Sequence, residues 1–230
     1  MKNGSWDLES ALSVLRSHGW FSQRSEETQK RLAGIARLRS FDTNEPIYLS
    51  GQAPNGVFGL VQGSTNAAFP RNDGEEYIAH HSGAGSWIGD LALFADAPRL
   101  VSLHAAEPTV MVQLQPQGIL RLVKEDPRLH ADFYALSYEN FRTALSVIAN
   151  LAIVSIDKRV ADRLLLETKA RPNADGWIQV SQPDLAQLLA VSLPTLRRTI
   201  GRLVQAGLVE QGYGRIKVLD RKGLQDICRD

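Results

Sequence analysis

The stretch SQPDLAQLLAVSLPTLRRTIGRLVQAGLVE, at residues 181–210, decides the fold of the C-terminal part of the chain. Ser181 is suited to cap a first helix, with Asp184 three residues on as its reciprocal partner. The bend falls at residues 190–191, and Ser192 caps a second helix of about three turns. The stretch therefore predicts two short helices joined by a tight turn, a helix-turn-helix unit.

The second helix and the segment after it indicate double-stranded DNA as a partner. The helix begins with small or polar residues and carries several arginines, which suits a major groove. The next stretch, AGLVEQGYGRIKVLD, predicts two strands around a glycine-bounded turn, a β-hairpin wing. A helical hairpin that binds nothing is the alternative. The predicted DNA-contacting residues are Ser181, Ser192, Thr195, Arg197, Arg198, Arg202, Arg215 and Lys217.

The charge distribution agrees with a polyanionic partner for the last third of the chain. Residues 1–156 hold 13 Lys and Arg against 16 Asp and Glu, net −3, whereas residues 157–230 hold 13 against 9, net +4. An ordinary solvated surface is the alternative explanation of such an excess.

Length and composition indicate two modest domains, since 230 residues with 43% hydrophobic side chains can bury a sizeable core. No segment approaches the roughly 20 apolar residues that span a bilayer, so we expect a cytoplasmic protein without a membrane partner. The lone cysteine, Cys228, excludes a disulfide framework or a cysteine-ligated cluster within one chain.

Upstream of the helix-turn-helix, the pattern predicts one long helix from Asp126 to about Ser155, roughly 40 Å at 1.5 Å per residue. Its apolar residues follow at alternating steps of four and three, a heptad seam that predicts a homodimer. Packing of the seam against the protein's own sheet is the alternative, and a second stripe at Phe133, Ala144, Val147, Leu151 and Val154 allows both. The predicted dimer residues are Tyr134, Tyr138, Phe141, Leu145, Ile148 and Ala152. The polar step at residues 157–159 is the predicted hinge.

The first half of the chain predicts covering helices followed by a small antiparallel β-structure. Residues 7–38 carry helical spacing, with Ser25 as a helix cap. Between Arg39 and Gln115 short apolar or alternating runs are separated by glycine and turn residues, and Asp73-Gly74 marks a hairpin. Strands at such spacings indicate a sandwich or barrel.

Together these parts resemble the cyclic-AMP receptor protein and Fnr family of bacterial transcription regulators. Besides the helix-turn-helix, the resemblance rests on Gly51, Gly63, the stretch GAGSWIGDLALFADAPRLVSLHA and the stretch DKRVADRLLLE. It implies an α+β fold with three parts. These are a jelly-roll-like antiparallel β-roll sensor with short N-terminal helices at residues 1–125, a long dimerisation helix at 126–156, and a winged helix-turn-helix at 157–230.

The resemblance also implies an effector site, at Gly89, Asp90, Leu91, Arg99 and Leu100, with Ala144 and Leu145 on the long helix. Arg99 keeps the fork that suits a phosphate. However, Asp90 is one methylene shorter than the glutamate of the family pattern, and Leu100, Ala144 and Leu145 cannot hydrogen-bond. The departures disfavour a cyclic nucleotide, which stays possible, and an ion pair of Arg99 with Asp90 or Asp96 is the alternative. No other cofactor and no metal site is predicted.

The function implied is that of a homodimeric, sequence-specific regulator of transcription, with a pseudo-palindromic operator and RNA polymerase as partners. A signal in the β-roll would shift the packing of the paired long helices. SLPTLRR replaces the family's SRETVSR, so base readout rests on Thr195, Arg197 and Arg198. Two alternatives are a cyclic-nucleotide-binding module that acts on a protein partner, and an enzyme. Against an enzyme, the sequence lacks a nucleophile elbow, a phosphate-binding glycine loop and a His-Glu-x-x-His motif.

Overall fold

The computed structural model describes residues 6–71, 74, 76–170 and 176–229, with backbone alone for residues 169 and 170. The chain divides into two compact units, one made of Met1–Glu76 and His81–Thr143, the other of Tyr77–His80 and Ala144–Asp230. The helices of the described part are α1 (Leu8–Ser17), α2 (Glu26–Ala33), α3 (Asp90–Phe94), α4 (Pro116–Glu125), α5 (Leu129–Ala152), α6 (Ile156–Ala170), α7 (Gln182–Leu188), α8 (Leu193–Gln205) and α9 (Arg221–Arg229). The strands are β1 (Ala36–Phe41), β2 (Pro46–Tyr48), β3 (Val57–Gln62), β4 (Thr65–Pro70), β5 (Glu76–Ser82), β6 (Trp87–Ile88), β7 (Ser102–Ala105), β8 (Thr109–Leu114), β9 (Trp177–Gln179), β10 (Val209–Gly212) and β11 (Arg215–Val218).

Two four-stranded sheets, in the orders β1-β8-β3-β6 and β2-β7-β4-β5, contain the strands of the first unit. Four residues of β5, Tyr77–His80, are grouped with the second unit. The ladders of β8 with β1 and β3, and of β7 with β2 and β4, are antiparallel. Apolar side chains of both sheets share one core, among them Phe41, Tyr48, Phe58, Leu103 and Met111. The predicted antiparallel β-roll is confirmed.

The N-terminal helices form largely as predicted and cover this β-structure. The Ser25 hydroxyl accepts a hydrogen bond from the Thr28 amide at 3.1 Å, which caps α2. The prediction of helical spacing as far as Leu38 was wrong, because β1 begins at Ala36 and Leu38 pairs with Val112. Burial alternates from one residue to the next over the first four residues of β1, which is the two-residue period of a strand. Asp73 of the predicted hairpin turn lies outside the described residues.

Three helices are not in the sequence-based prediction. α3 occupies part of a run expected to be extended; Gly89, with φ of +106°, turns the chain into it. α4 begins with a proline in its first turn, where the missing N–H has no intrahelical partner to lose. α9 is capped by Asp220, whose carboxylate accepts from the Gly223 amide at 2.9 Å.

The long helix is shorter than predicted and ends before the expected hinge. α5 has 24 residues, about 36 Å, and ends at Ala152 rather than near Ser155. The polar step at residues 157–159 lies in the first turn of α6, so the break in the chain is at residues 153–155. Ser155 explains the restart, because its hydroxyl accepts from the Lys158 amide at 3.4 Å, as an N-cap does.

The second unit is built around a helix-turn-helix and a three-stranded sheet. The strand order is β10-β11-β9, antiparallel throughout, and β10 and β11 form the predicted wing. Its core joins α6, α7, α8 and the sheet through Val160, Leu185, Leu196, Ile200 and Ile216. Among the described helices, none combines the length and the apolarity needed to cross a bilayer.

Candidate functional site

Side-chain caps fix both helices of the helix-turn-helix. The Ser181 hydroxyl accepts from the Asp184 amide at 3.2 Å and donates to its carboxylate at 2.5 Å. Ser192 accepts from the Thr195 amide at 3.4 Å, and the hydroxyls of the two residues lie 2.8 Å apart. Between the helices, Ala190 has a φ of +52°, the left-handed conformation that turns the chain.

The two faces of α8 differ in polarity. Leu196, Ile200 and Leu203 are buried on one face, whereas Arg197 and Arg198 are exposed on the other. The Arg197 Nε donates to Gln182 at 3.2 Å. In the part of the chain that the structure describes, the Arg198 guanidinium has no hydrogen-bond or ion-pair partner. The helix thus presents an unneutralised cation to solvent beside a second one.

Arg202, on the same helix, is engaged inside the second unit. Its guanidinium donates to the Asp157 carboxylate and, at 3.1 Å, to the Thr199 hydroxyl. The Thr199 hydroxyl itself donates to Asp157 at 3.1 Å. The structure therefore separates Arg202 from Arg197 and Arg198, with which the sequence had grouped it.

The wing carries the other two predicted basic contacts, and both lie near one aromatic ring. The Arg215 guanidinium lies 4.3 Å from the centroid of the Trp177 ring, and the Lys217 ammonium lies 5.9 Å from it. A guanidinium over an aromatic face keeps its N–H groups, which lie in its own plane, available to other acceptors. Tyr213 forms the fully exposed tip between the two strands.

In the first unit, the structure brings Gly89 and Arg99 of the predicted effector site together, but turns Arg99 inward. Arg99 is 3% exposed and donates at 2.7 Å each to the Gly89 carbonyl, the Gly56 carbonyl and the Asn55 side chain. It also stacks on Tyr48, 4.1 Å from the ring centroid. Burial lowers the pKa of Arg99 and raises that of the Tyr48 hydroxyl. The ion pair of Arg99 with Asp90 or Asp96 does not form, because carbonyl and amide oxygens take these donors.

Asp90 is buried at the start of α3, where its carboxylate is bound by two side chains of α5. One oxygen accepts from the Ser137 hydroxyl and the other from the Asn140 amide at 3.0 Å. Burial raises the pKa of this carboxyl, and the two hydrogen bonds oppose the rise. Both carboxylate oxygens of Asp90, a residue of the predicted effector site, are thus bound within the protein.

These residues do not fit a cyclic nucleotide. The Arg99 fork and the Asp90 carboxylate already have protein partners, and Leu91 and Leu100 expose aliphatic side chains that offer no donor. Ala144 and Leu145 are exposed on α5 and cannot hydrogen-bond to a base. Unmet polar groups of a buried nucleotide cost about 1 to 3 kcal/mol each. The geometry therefore agrees with the sequence, in which these residues differ from the family pattern in ways that disfavour a cyclic nucleotide.

One face of α5 leaves a row of large apolar side chains exposed. Tyr134, Tyr138, Phe141, Leu145 and Ile148 are between 49% and 75% exposed, and Ala152 is exposed at the end of the row. Phe133 and Val147, of the second stripe, are buried, whereas Val154 lies beyond the helix and is exposed. A contiguous exposed apolar row of this kind is typical of interaction surfaces.

Sequence reasoning missed several residues of these sites. Ser137 and Asn140 could have been noticed as polar residues beside the heptad seam. Tyr48 could have been noticed as an aromatic residue in a strand. The pairings of Asp157 and of Trp177 carry no local signal, since each joins segments that are distant in the sequence.

Comparison with known proteins adds two matches to family models. A cyclic nucleotide-binding domain model matches residues 38–126, and a Crp-like helix-turn-helix domain model matches residues 158–227.

Three known proteins illustrate the similarity. The cyclic AMP receptor protein of Thermus thermophilus is 25% identical over 203 residues, covering 88% of this chain and 93% of that protein. The transcriptional regulator SdrP of the same organism is 28% identical over 148 residues, covering 63% and 69%. The structure of FixK2 from Bradyrhizobium japonicum matches with a TM-score of 0.75 at 20% identity, covering 84% of this chain and 97% of that one, a likeness of fold.

Proposed function

Because the chain belongs to the Crp/Fnr family of transcription regulators, we propose that it acts as a homodimer that reads a pseudo-palindromic DNA operator. The family consists of transcription regulators rather than enzymes. We further propose RNA polymerase as a partner and the cytoplasm as the place of action, on the strength of the family resemblance.

The observation that carries the proposal is the exposed guanidinium of Arg198 on α8, which has no hydrogen-bond or ion-pair partner among the residues that the structure describes. A side chain without a protein acceptor is available for bidentate hydrogen bonds to a guanine edge, which contribute about 1 to 3 kcal/mol of discrimination. Arg197 and Thr195 lie on the first two turns of the same helix and complete the proposed reading surface. Leu193 and Pro194, in the first turn, supply no donor to a base.

Contacts with phosphate are assigned to the wing and to the start of the helix-turn-helix. Arg215 and Lys217 lie beside Trp177, which orients the guanidinium of Arg215. Ser181 and Ser192 stand at helix N-termini, where backbone N–H groups favour an anion. Such contacts position the protein without reading sequence.

Dimerisation is proposed to use the exposed apolar face of α5. A two-fold dimer through this helix would present two copies of α8, and an operator with half-sites one helical turn apart, about 34 Å, matches that arrangement. A signal received by the first unit would act by shifting the pairing of the long helices. The break at residues 153–155 is the proposed pivot. No step of this proposal passes through a cyclic nucleotide.

The proposal is tested by selecting bound fragments of genomic DNA with the purified full-length protein. A consensus derived from these fragments is then titrated by fluorescence anisotropy. We expect a two-fold symmetric consensus. Because a dimer loses two copies of the guanidinium, Arg198→Ala should lower operator affinity by about 30- to 10,000-fold. Arg229→Ala is the matched control, since Arg229 lies at the end of α9 and pairs with Asp226 at 3.7 Å.

Two results would contradict the proposal. One is selection that yields no consensus above the genomic background. The other is an equal loss of affinity for operator and scrambled DNA in Arg198→Ala, because that would assign Arg198 to phosphate contact rather than to base readout.

A further inference from the structure

An acidic residue at the start of α6 holds the third arginine of α8. Asp157 lies in the first turn of α6, two residues after the break, and its Oδ1 accepts from both Thr199 and Arg202. Thr199 is 2% exposed, so the hydroxyl that joins the two charged groups is buried. A buried hydroxyl requires a partner, which makes this three-residue cluster a specific arrangement rather than a chance surface pair.

The position of Arg202 makes this pairing consequential for DNA binding. Arg202 follows Arg198 by four residues, so the two side chains project from the same side of α8 on successive turns. A free guanidinium there would lie within reach of the phosphates that flank a groove holding the helix. In the structure, the Asp157 carboxylate neutralises the Arg202 guanidinium and holds it against the start of α6.

We propose that Asp157 is a positioning residue for DNA recognition, which sequesters Arg202 from DNA and sets the register between α6 and the recognition helix. This inference rests on the proposed function and deepens it, because it states which arginines of α8 read the operator. The exposed part of the ion pair adds little to stability, since about half of each charged side chain remains in solvent. Its effect is on specificity, because a cation that binds phosphate strengthens binding to every sequence equally.

Salt dependence distinguishes a sequestered arginine from one that contacts DNA. Each phosphate neutralised by the protein steepens the plot of log affinity against log salt by about 0.9, hence about 1.8 for two copies in a dimer. The slope is measured for the full-length protein on the selected operator and on a scrambled duplex of equal length. The variants are Arg202→Gln, Asp157→Ala and the double substitution, with Lys217→Ala as the control expected to flatten the slope.

The expected pattern is a thermodynamic cycle. Arg202→Gln alone removes no phosphate contact, so any flattening caused by the freed Asp157 charge should be smaller than the roughly 1.8 expected for two lost contacts. Asp157→Ala steepens the slope by about 1.8 and increases affinity for scrambled DNA, so the ratio of operator to scrambled affinity falls. Adding Arg202→Gln to Asp157→Ala restores the original slope. Asp157→Asn, which retains an acceptor for Thr199, serves if Asp157→Ala does not fold.

Two outcomes overturn this inference alone. In the first, the double substitution flattens the slope by about 1.8 below the wild-type value, which would mean that Arg202 contacts phosphate in the wild-type protein, since both members of the ion pair are then neutral. In the second, the double substitution stays as steep as Asp157→Ala, so that Asp157 acts only through the overall charge. A wild-type protein that binds neither duplex overturns the proposed function, and this inference with it.

Discussion

Substitution of Phe141 by alanine is expected to raise the dissociation constant of the proposed dimer about 100-fold. Phe141 lies at the centre of the exposed row on α5 and is 63% exposed. Full burial of a phenylalanine contributes about 2.5 kcal/mol, so covering the exposed share contributes about 1.6 kcal/mol per copy. A two-fold interface contains the residue twice, which gives a loss of about 3 kcal/mol and a dimer dissociation constant about 100-fold higher.

Sedimentation equilibrium of the DNA-free protein over a wide concentration range measures this change directly. Leu120→Ala is the matched control, because Leu120 is a half-exposed apolar residue on α4, away from the row. The control should leave the dissociation constant unchanged, and both variants should retain the circular dichroism of the wild type. A wild-type chain that stays monomeric at tens of micromolar, or a Phe141→Ala variant that associates normally, would refute the dimer assigned to this face.

Three further substitutions test the local physics of the fold through denaturant unfolding. Ala190→Gly should raise the free energy of unfolding by about 0.5 to 1 kcal/mol, because the left-handed backbone strain of alanine that it removes exceeds the extra chain entropy of glycine in the unfolded state. An unchanged free energy of unfolding would contradict the assigned turn. Gly59→Ala should destabilise by about 1 to 3 kcal/mol, because its Cβ would lie 2.4 Å from the Trp87 ring, whereas Gly201→Ala meets nothing and should not. Asp90→Asn should remove a pH dependence. The pKa of the Asp90 carboxyl is raised in the folded protein. Its contribution to the free energy of unfolding is therefore fully present below about pH 4, the pKa in the unfolded chain, and is lost as the pH rises through the pKa in the folded state. Wild type should therefore lose stability relative to this variant as pH increases, and parallel pH profiles would contradict that.

The parts of the fold that were predictable are those fixed by local interactions. Ser181 and Ser192 cap their helices through contacts three residues away, and this short range is why the helix-turn-helix emerged from the sequence in detail. The heptad spacing likewise located α5, although its end depended on Ser155, whose capping role was not recognised.

The misassigned elements are those whose local pattern is ambiguous. The run that contains α3 is short and apolar, and periodicity does not separate a buried strand from a five-residue helix. In α4 the signal was present, since Pro116 opens the helix and Ile119, Leu122 and Val123 follow at helical spacing. The sequence analysis assigned no element to this segment.

The candidate sites depended on contacts that sequence spacing does not reveal. Asp90 and its partners on α5 are 47 and 50 residues apart, and Arg202 lies 45 residues from Asp157. From residue type alone, Asp90 was predicted to bind an effector and Arg202 to contact DNA. Only the packing of the elements shows that both side chains are engaged within the protein.

Three arginines differ in burial and in partners, and these differences, rather than residue type, support the proposed DNA-reading surface. Arg99 is buried, and its donors bind the Gly89 and Gly56 carbonyls and the Asn55 side-chain amide. Arg202 is half exposed, but a carboxylate neutralises it. Arg198 has neither burial nor a partner among the described residues, and it projects from a helix whose opposite face is fixed in the core. An exposed guanidinium without an acceptor inside the protein is free to hydrogen-bond to an acceptor on DNA. The proposed sequence recognition therefore depends mainly on Arg198.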